Sequence, residues 1–401
     1  MSDPLLQHLV QTNNNKIIMV ILDGLGGLPQ CPGGKTELES AATPNLDDLA
    51  YRSSLGLSLP VGHGITVGSG PGHLAIFGYD PLEYEIGRGA LEALGVDFEL
   101  GPDDIAARGN FCTLDADGNI SDRRAGRLAN EKSLALIQLL RSIKITGAEI
   151  FIEPIKEHRF AFVLRKVGLS ANLDGTDPLK CGVAPLPVVA QDGASMPAAT
   201  LINAFIAEAH TLLKDQQSAN MIMLRGFAKF PRIPSFTDKY RLNAAAVAIN
   251  GMYRGVARLA GMQVLNVHGS SLADEFDALE QAWGDFEFFY MHFKKTDTCG
   301  ESSDFEGKMH AIEEFDALLP RILTLRPDVI IISGDHSSPA VMGSHSWHPV
   351  PLLLYARICR PDGLNQFGEH NCARGSLGTI PAMQVMPLAL AHTGRLEKFG
   401  A

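Results

Sequence analysis

Two short apolar runs, Lys16–Leu22 (Lys-Ile-Ile-Met-Val-Ile-Leu) and Asp328–Ile332 (Asp-Val-Ile-Ile-Ile), most constrain what this chain can fold into. Both are rich in β-branched residues and too short for a helix, so they read as strands buried on both faces, as in a parallel sheet. Each ends abruptly in different chemistry. Asp23-Gly24 follows the first run, and Ser333-Gly334-Asp335-His336 follows the second. In open α/β sheets, ligands collect beyond the carboxyl ends of the strands. A third run, Phe286–Phe293, leads into Lys294-Lys295-Thr296-Asp297-Thr298-Cys299-Gly300-Glu301, and His345 follows shortly after His336. Carboxylate oxygens and imidazole nitrogens are ligands for a divalent metal. Asp23, Asp297, Glu301, Asp335, His336 and His345 are therefore candidate ligands, although far apart in sequence.

Strand patterns alternate with helical ones, which indicates an α/β fold with a mostly parallel sheet flanked by helices. Thr43-Pro44-Asn45 reads as a helix start, with Thr43 as cap and Pro44 in the first helical position. Ile312–Leu325 has helical periodicity, and Pro320 is expected to kink it or mark a boundary. The stretch from about Pro102 to Ser235 differs: it has short strand patterns (Glu149–Ile152, Arg159–Arg165), a helical one (Glu131–Ile143) and none of the candidate ligands. The economical division is a metal-binding domain split in sequence, 1–101 and 236–401, with an inserted α+β domain at 102–235. Gly101-Pro102 and Pro231–Pro234 would be the crossings. The polar start, Met1–Asn15, reads as a frayed lead-in with no signal-peptide core.

A net charge of −11 in 401 residues argues against nucleic acid or an anionic membrane as the main partner. No apolar run approaches the ~20 residues of a spanning helix. Six scattered cysteines with no Cys-x-x-Cys pair suit reduced thiols and a cytoplasmic location. A homo-oligomer is compatible with all of this.

Ser69 lies between glycines in Gly68-Ser69-Gly70-Pro71-Gly72-His73, ahead of a helix-capable run. Backbone N–H groups at such a place favour an anion. Ser69 is either a metal-activated nucleophile or a capping serine in a glycine-rich turn. Asp122-Arg123-Arg124-Ala125-Gly126-Arg127 and Glu157-His158-Arg159 concentrate guanidinium groups that match phosphate and carboxylate. They form either an anion site or a solvated charged turn. His292 reads as a packed strand residue, and Cys299 as a bystander among ligands.

Taken together the motifs are specific to a family. Leu22-Asp23-Gly24, Lys35–Asn45, His73–Pro81, Gly87–Gly95, Asp122–Arg127, Glu157-His158-Arg159, Thr176-Asp177-Pro178, Ala257–Met262, Gly334-Asp335-His336 and His345–Pro351 resemble the archaeal-type cofactor-independent (2,3-bisphosphoglycerate-independent) phosphoglycerate mutases of the alkaline phosphatase superfamily. The resemblance runs over nearly the whole chain. It implies an alkaline-phosphatase-like sheet with an inserted substrate-holding lid, a small phosphorylated metabolite as substrate, and two divalent ions. Manganese is the first expectation, with magnesium and zinc as alternatives. Asp23, Ser69, Asp335 and His336 would match the ligands of one ion, and Asp297, Glu301 and His345 those of the other. Ser69 would match the transiently phosphorylated nucleophile, and Asp122, Arg123, Arg124, Arg159 and Arg254 the substrate-binding residues.

The chain departs from the family pattern at the chemistry. Glu301 replaces the family's histidine ligand, Gly70-Pro71-Gly72 replaces Asp-Thr-Ala, Arg254 stands where a lysine is expected, and Trp347-His348 replaces Gly-Asp. These changes leave two alternatives to the mutase: a metal-dependent phosphomonoesterase, or a mutase acting on another phosphorylated or phosphonylated small molecule. A non-catalytic relative that binds a metabolite or partner is the third.

Overall fold

The computed structural model describes residues 3–84, 86–230 and 233–400, and the chain divides into two compact units. One comprises Met1–Glu85 and Ile233–Ala401, and the other comprises Ile86–Arg232. Among the described residues no helix is long and apolar enough to cross a membrane.

The split unit is built on an eight-stranded sheet. Its strands run in the order Gln263–Val264, Ala244–Val247, Phe288–Phe293, Ile17–Leu22, Val329–Ser333, Val350–Ala356, Ser54–Leu59, Gly378–Pro381. The Val350 strand is antiparallel to both its neighbours, and the other pairings are parallel. The three apolar runs picked out from the sequence form the strands Ile17–Leu22, Phe288–Phe293 and Val329–Ser333, which lie side by side at the centre with every strand residue buried. Their burial on both faces explains why they show no polar alternation.

Local chemistry departs from expectation at two helix features. Thr43 stands at the N-cap of the Pro44–Tyr51 helix, but its side chain caps nothing. Asp316, distant in sequence, takes that role and accepts from the Leu46 N–H at 2.7 Å. No boundary falls at Pro320: one helix runs from Phe305 to Thr324 with the proline inside. A proline cannot donate to the carbonyl four residues back. That carbonyl, Asp316 O, instead accepts from Asn45 Nδ2 at 3.0 Å, so the proline leaves no unsatisfied group. The N-terminus is not a frayed lead-in over its described residues. A helix spans Asp3–Leu9, Val10 bridges to Leu396, and Asn13 donates to Thr393 O at 2.8 Å.

The inserted unit is a five-stranded antiparallel sheet formed by Ile120–Asp122, Asp104–Leu114, Arg159–Arg165, Glu149–Lys156 and Met221–Lys229. Its faces alternate as a two-residue period requires. Phe160, Phe162 and Leu164 join a core with the helices Asn130–Arg141 and Met196–Leu213. Ala161 and Val163 face the other way, beside Ala93 of the helix Arg88–Gly95. This last helix corrects the expected crossing at 101/102. Residues 86–101 go with the insertion because the helix packs on the Asp104 strand. The other expected crossing, Pro231–Pro234, lies partly outside the described residues.

Small residues let that helix approach closely. A Cβ on Gly89 would stand 2.3 Å from Ala106 O and 2.5 Å from the Ala107 Cα. Gly89→Ala would gain up to about 1 kcal/mol of helix propensity in isolation. It is expected instead to lower stability by about 1–3 kcal/mol, the usual cost of overpacking, read as a fall in the urea midpoint.

Candidate active site at the strand ends

The register of the central strands sets the site. Leu22 is level with Phe293, and Ile21 with Ser333. The next residues along all three parallel strands therefore emerge together, bringing Asp23, Lys294 and the Gly334-Asp335-His336 turn to one end. The Gly24 N–H donates to Asp335 Oδ1 at 3.1 Å and Thr296 Oγ1 to Asp23 O at 2.6 Å, tying the three strand ends to one another.

Two groups of metal-ligating atoms result. Asp23, Asp335 and His336 form one, entirely buried; Asp297, His336 and His345 form the other. His336 belongs to both. Its Nε2 lies 3.4 Å from Asp23 Oδ1 and 3.3 Å from Asp335 Oδ2, and its Nδ1 4.0 Å from Asp297 Oδ1. His345 Nε2 stands 3.5 Å from Asp297 Oδ1, and its Nδ1 is 2.8 Å from Val67 O. Glu301 sits at the end of the helix Lys295–Glu301, its Oε1 3.4 Å from His345 Nε2. It lies outside both groups, with a side chain 54% exposed.

The donor set fits divalent cations. Asp23 Oδ1 is buried with no hydrogen-bond partner, and Asp335 Oδ2 is buried with only imidazole nitrogens near it, His73 Nδ1 at 3.2 Å and His336 Nε2 at 3.3 Å, a costly state unless a cation satisfies them. Ser69 opens the helix Ser69–Ile76 and is buried, with its Oγ 3.2 Å from His336 Nε2. The glycine after Pro71 has a packing reason: a Cβ on Gly72 would lie 2.3 Å from Asp335 O.

Several residues here were not assigned from the sequence. Lys294 Nζ donates to Asp23 Oδ2 at 3.0 Å and to Asp297 Oδ2 at 2.6 Å. Burial disfavours its charge, but these carboxylates hold its pKa well above the ordinary lysine value. His292 is packed, as expected, yet its Nε2 also lies 3.0 Å from Asp23 Oδ2. Burial pushes its pKa down to about 4 despite that contact, so it stays neutral. His73 Nδ1 is 3.2 Å from Asp335 Oδ2 and 2.8 Å from Ser69 O. Burial opposes its charge, but Asp335 outweighs burial and raises the pKa. Ser338 Oγ donates to Asp297 Oδ1 and lies 3.2 Å from His336 Nδ1. Partial burial, with Asp304, raises the Cys299 thiol, which keeps its proton. A signal was available for Lys294, a cation directly after a buried strand.

The inserted unit gathers positive charge. Arg108 and Arg225 face each other across paired strands. Arg88, Arg159 and Arg225 all act electrostatically on Arg108. Burial first, then Arg88, drops the Arg108 pKa to about 10. Among the described residues the only carboxylate on Arg108 is Glu92 at 3.6 Å, which is shared with Arg88 at 3.2 Å. The Nε atoms of Arg108, Arg159 and Arg225 are buried without partners. Burial and Arg159 push His158 down to about 4. The motif residues divide. Arg123 is clamped by both oxygens of Asp177, at 3.0 and 2.7 Å, and Asp122 accepts from the Arg124 and Gly126 N–H groups. Arg124 is exposed, and Arg254 is half-buried in the helix Gly251–Leu259 of the split unit. Arg108 and Arg225 were missed, although an arginine inside an apolar strand is itself a signal.

Comparison with known proteins follows the same lines. The family model described as 2,3-bisphosphoglycerate-independent phosphoglycerate mutase matches residues 50–219. A protein of Thermosipho melanesiensis named "Probable 2,3-bisphosphoglycerate-independent phosphoglycerate mutase" is 48% identical over 399 residues, 99% of this chain and 98% of that protein. One of the same name from Thermus thermophilus is 48% identical over 402 residues, 99% of each. Among solved structures, the PH0037 protein of Pyrococcus horikoshii aligns with a TM-score of 0.84 at 30% identity, covering 97% of this chain and all of that one (100%). The cofactor-independent phosphoglycerate mutase of Thermoplasma acidophilum aligns at 0.72 with 29% identity, covering 95% and 100%. The chain belongs to the 2,3-bisphosphoglycerate-independent phosphoglycerate mutases, a family of isomerases.

Proposed function

We propose that this protein interconverts 3-phosphoglycerate and 2-phosphoglycerate through a phosphorylated Ser69. The observation that carries the reading is the buried Ser69 hydroxyl at a helix start, 3.2 Å from the imidazole shared by both ligand groups. Asp23, Ser69, Asp335 and His336 would hold one divalent ion, and Asp297 and His345 the other, with Glu301 beside them. Manganese is preferred, with magnesium and zinc as alternatives. When bound, such ions neutralise phosphoryl oxygens and favour an ionised serine oxygen.

The chain's own residues do the rest. Ser69 Oγ forms a bond to phosphorus as the ester bond to the glycerate oxygen breaks, and that oxygen takes up a proton. The second glycerate hydroxyl then attacks the phosphoserine, loses its proton, and releases Oγ. Phosphoryl transfer asks mainly for positioning and charge neutralisation. The arginine-rich patch of the inserted unit suits the carboxylate and phosphate of the substrate, which an acidic protein would otherwise repel. Arg108, Arg159 and Arg225 have unpartnered N–H groups to offer, whereas Arg123 is already paired. Six free cysteines agree with a cytoplasmic enzyme. The exposed Glu301 supports a second reading, a phosphomonoesterase on the same Ser69, with release of inorganic phosphate as its signature.

Three outcomes test this. Ser69→Ala should cut conversion of 3-phosphoglycerate by about a thousandfold or more, the scale of losing a nucleophile, with an unchanged melting midpoint. Conversion at the full rate would sink the scheme. In metal titrations, His336→Ala should weaken both sites, while Glu301→Gln should leave the stoichiometry intact. Arg108→Met should raise the melting midpoint in phosphate-free buffer by relieving buried like charge. It should also raise the KM for 3-phosphoglycerate by about tenfold, the effect of losing one charged hydrogen bond.

A further inference from the structure

Among the described residues, Ser69 Oγ has two polar side-chain neighbours, His336 Nε2 at 3.2 Å and the Tyr253 hydroxyl at 3.3 Å. The second is set from behind. An ammonium group has three N–H donors and no lone pair. Lys294 directs them at Asp23 Oδ2, Asp297 Oδ2 and, at 2.8 Å, the Tyr253 oxygen. The Tyr253 oxygen therefore accepts from Lys294, which leaves its own proton to reach Ser69 Oγ or the neighbouring Asp23 carboxylate.

The tyrosine is held in place. It is 1% exposed, and its ring stacks on His292 at 3.5 Å with an interplanar angle of 20°. Its backbone lies in the first turn of the Gly251–Leu259 helix, where the Asn250 side chain caps by accepting from the Met252 N–H at 3.0 Å.

We propose that Tyr253, oriented by Lys294, donates a hydrogen bond to Ser69 Oγ and fixes the rotamer from which the serine receives and returns the phosphoryl group. The proposal rests on the mutase reading of Ser69 and adds a positioning pair to it. An ionised Oγ has three lone pairs: one would be held by Tyr253 and one by the ion, which leaves the third to face phosphorus. The same bond stabilises the charge that Oγ regains when it departs from phosphorus, so both half-reactions depend on it.

Tyr253→Phe removes one hydroxyl and keeps the ring on His292. On the metal-loaded protein, kcat should fall by about 10- to 100-fold, toward the range for a lost transition-state donor. KM should stay within about twofold, since the substrate is bound elsewhere. Rapid-quench mass spectrometry should show phospho-Ser69 forming and decaying more slowly by similar factors. Metal affinity, measured by titration, should be unchanged. An unchanged kcat would overturn the proposal. So would a loss of metal affinity, because Tyr253 would then be serving Asp23 instead. Lys294→Met combined with Tyr253→Phe should be no slower than Lys294→Met alone, and fully additive losses would dissolve the pair. The two readings fail separately. An active Ser69→Ala overturns the site assignment, whereas a fully active Tyr253→Phe beside an inactive Ser69→Ala overturns only the pair.

Discussion

Three carboxylates, Asp23, Asp297 and Asp335, are buried at one end of the large sheet, and the need to hold that charge out of water governs everything around them. An ionised carboxylate taken out of water unpaired costs several kcal/mol or protonates instead. Each is met by positive or donating groups. Lys294 reaches Asp23 and Asp297, His73 approaches Asp335, Gly24 N–H donates to Asp335, and Ser338 donates to Asp297. Burial pushes both up, but His336 and His73 hold Asp335, and His292 and Lys294 hold Asp23, below the ordinary carboxylate range. The compensation is incomplete where it matters, since one oxygen of each faces His336 without a donor.

The inserted unit shows the opposite imbalance. The buried Arg108 lies among Arg88, Arg159 and Arg225 with Glu92 as its nearest acid, and cross-strand Arg108 and Arg225 repel. A fold selected for stability alone would place apolar residues there. One unit gathers acids and imidazoles, and the other gathers arginines.

Much of the large sheet could be read directly. Strands buried on both faces are unbroken apolar runs, and the residue where apolarity stops marks the strand end that carries chemistry. What could not be read depends on tertiary pairing. Asp316 replaces Thr43 as a helix cap because a carboxylate from a distant helix outcompetes a local hydroxyl, which nothing near Thr43 foretells. Asn45 makes Pro320 harmless in the same way. Arg108, Arg225 and Tyr253 sit in apolar stretches where the residue type is visible but its partner is not. Glu301 was placed among the ligands by its spacing from Asp297. That spacing puts both on one helix face, yet the helix end leaves Glu301 largely in solvent.

The strand that carries Asp23 lies near the start of the chain, but its two neighbours come much later: Ile17 pairs with Phe288 on one side and Val329 on the other. During synthesis the most apolar segment of the sheet therefore exists for most of the chain's length with neither edge covered. The inserted unit, whose strands pair over shorter separations, can close first. The Ile-Ile-Met-Val-Ile-Leu strand gains its first neighbour only with residues 288–293 and its second with 329–333, and an unpaired apolar strand is an aggregation hazard until then. The arrangement that brings distant residues to a common point thus also raises the sequence separation of the central strand pairings, the feature that slows folding in general.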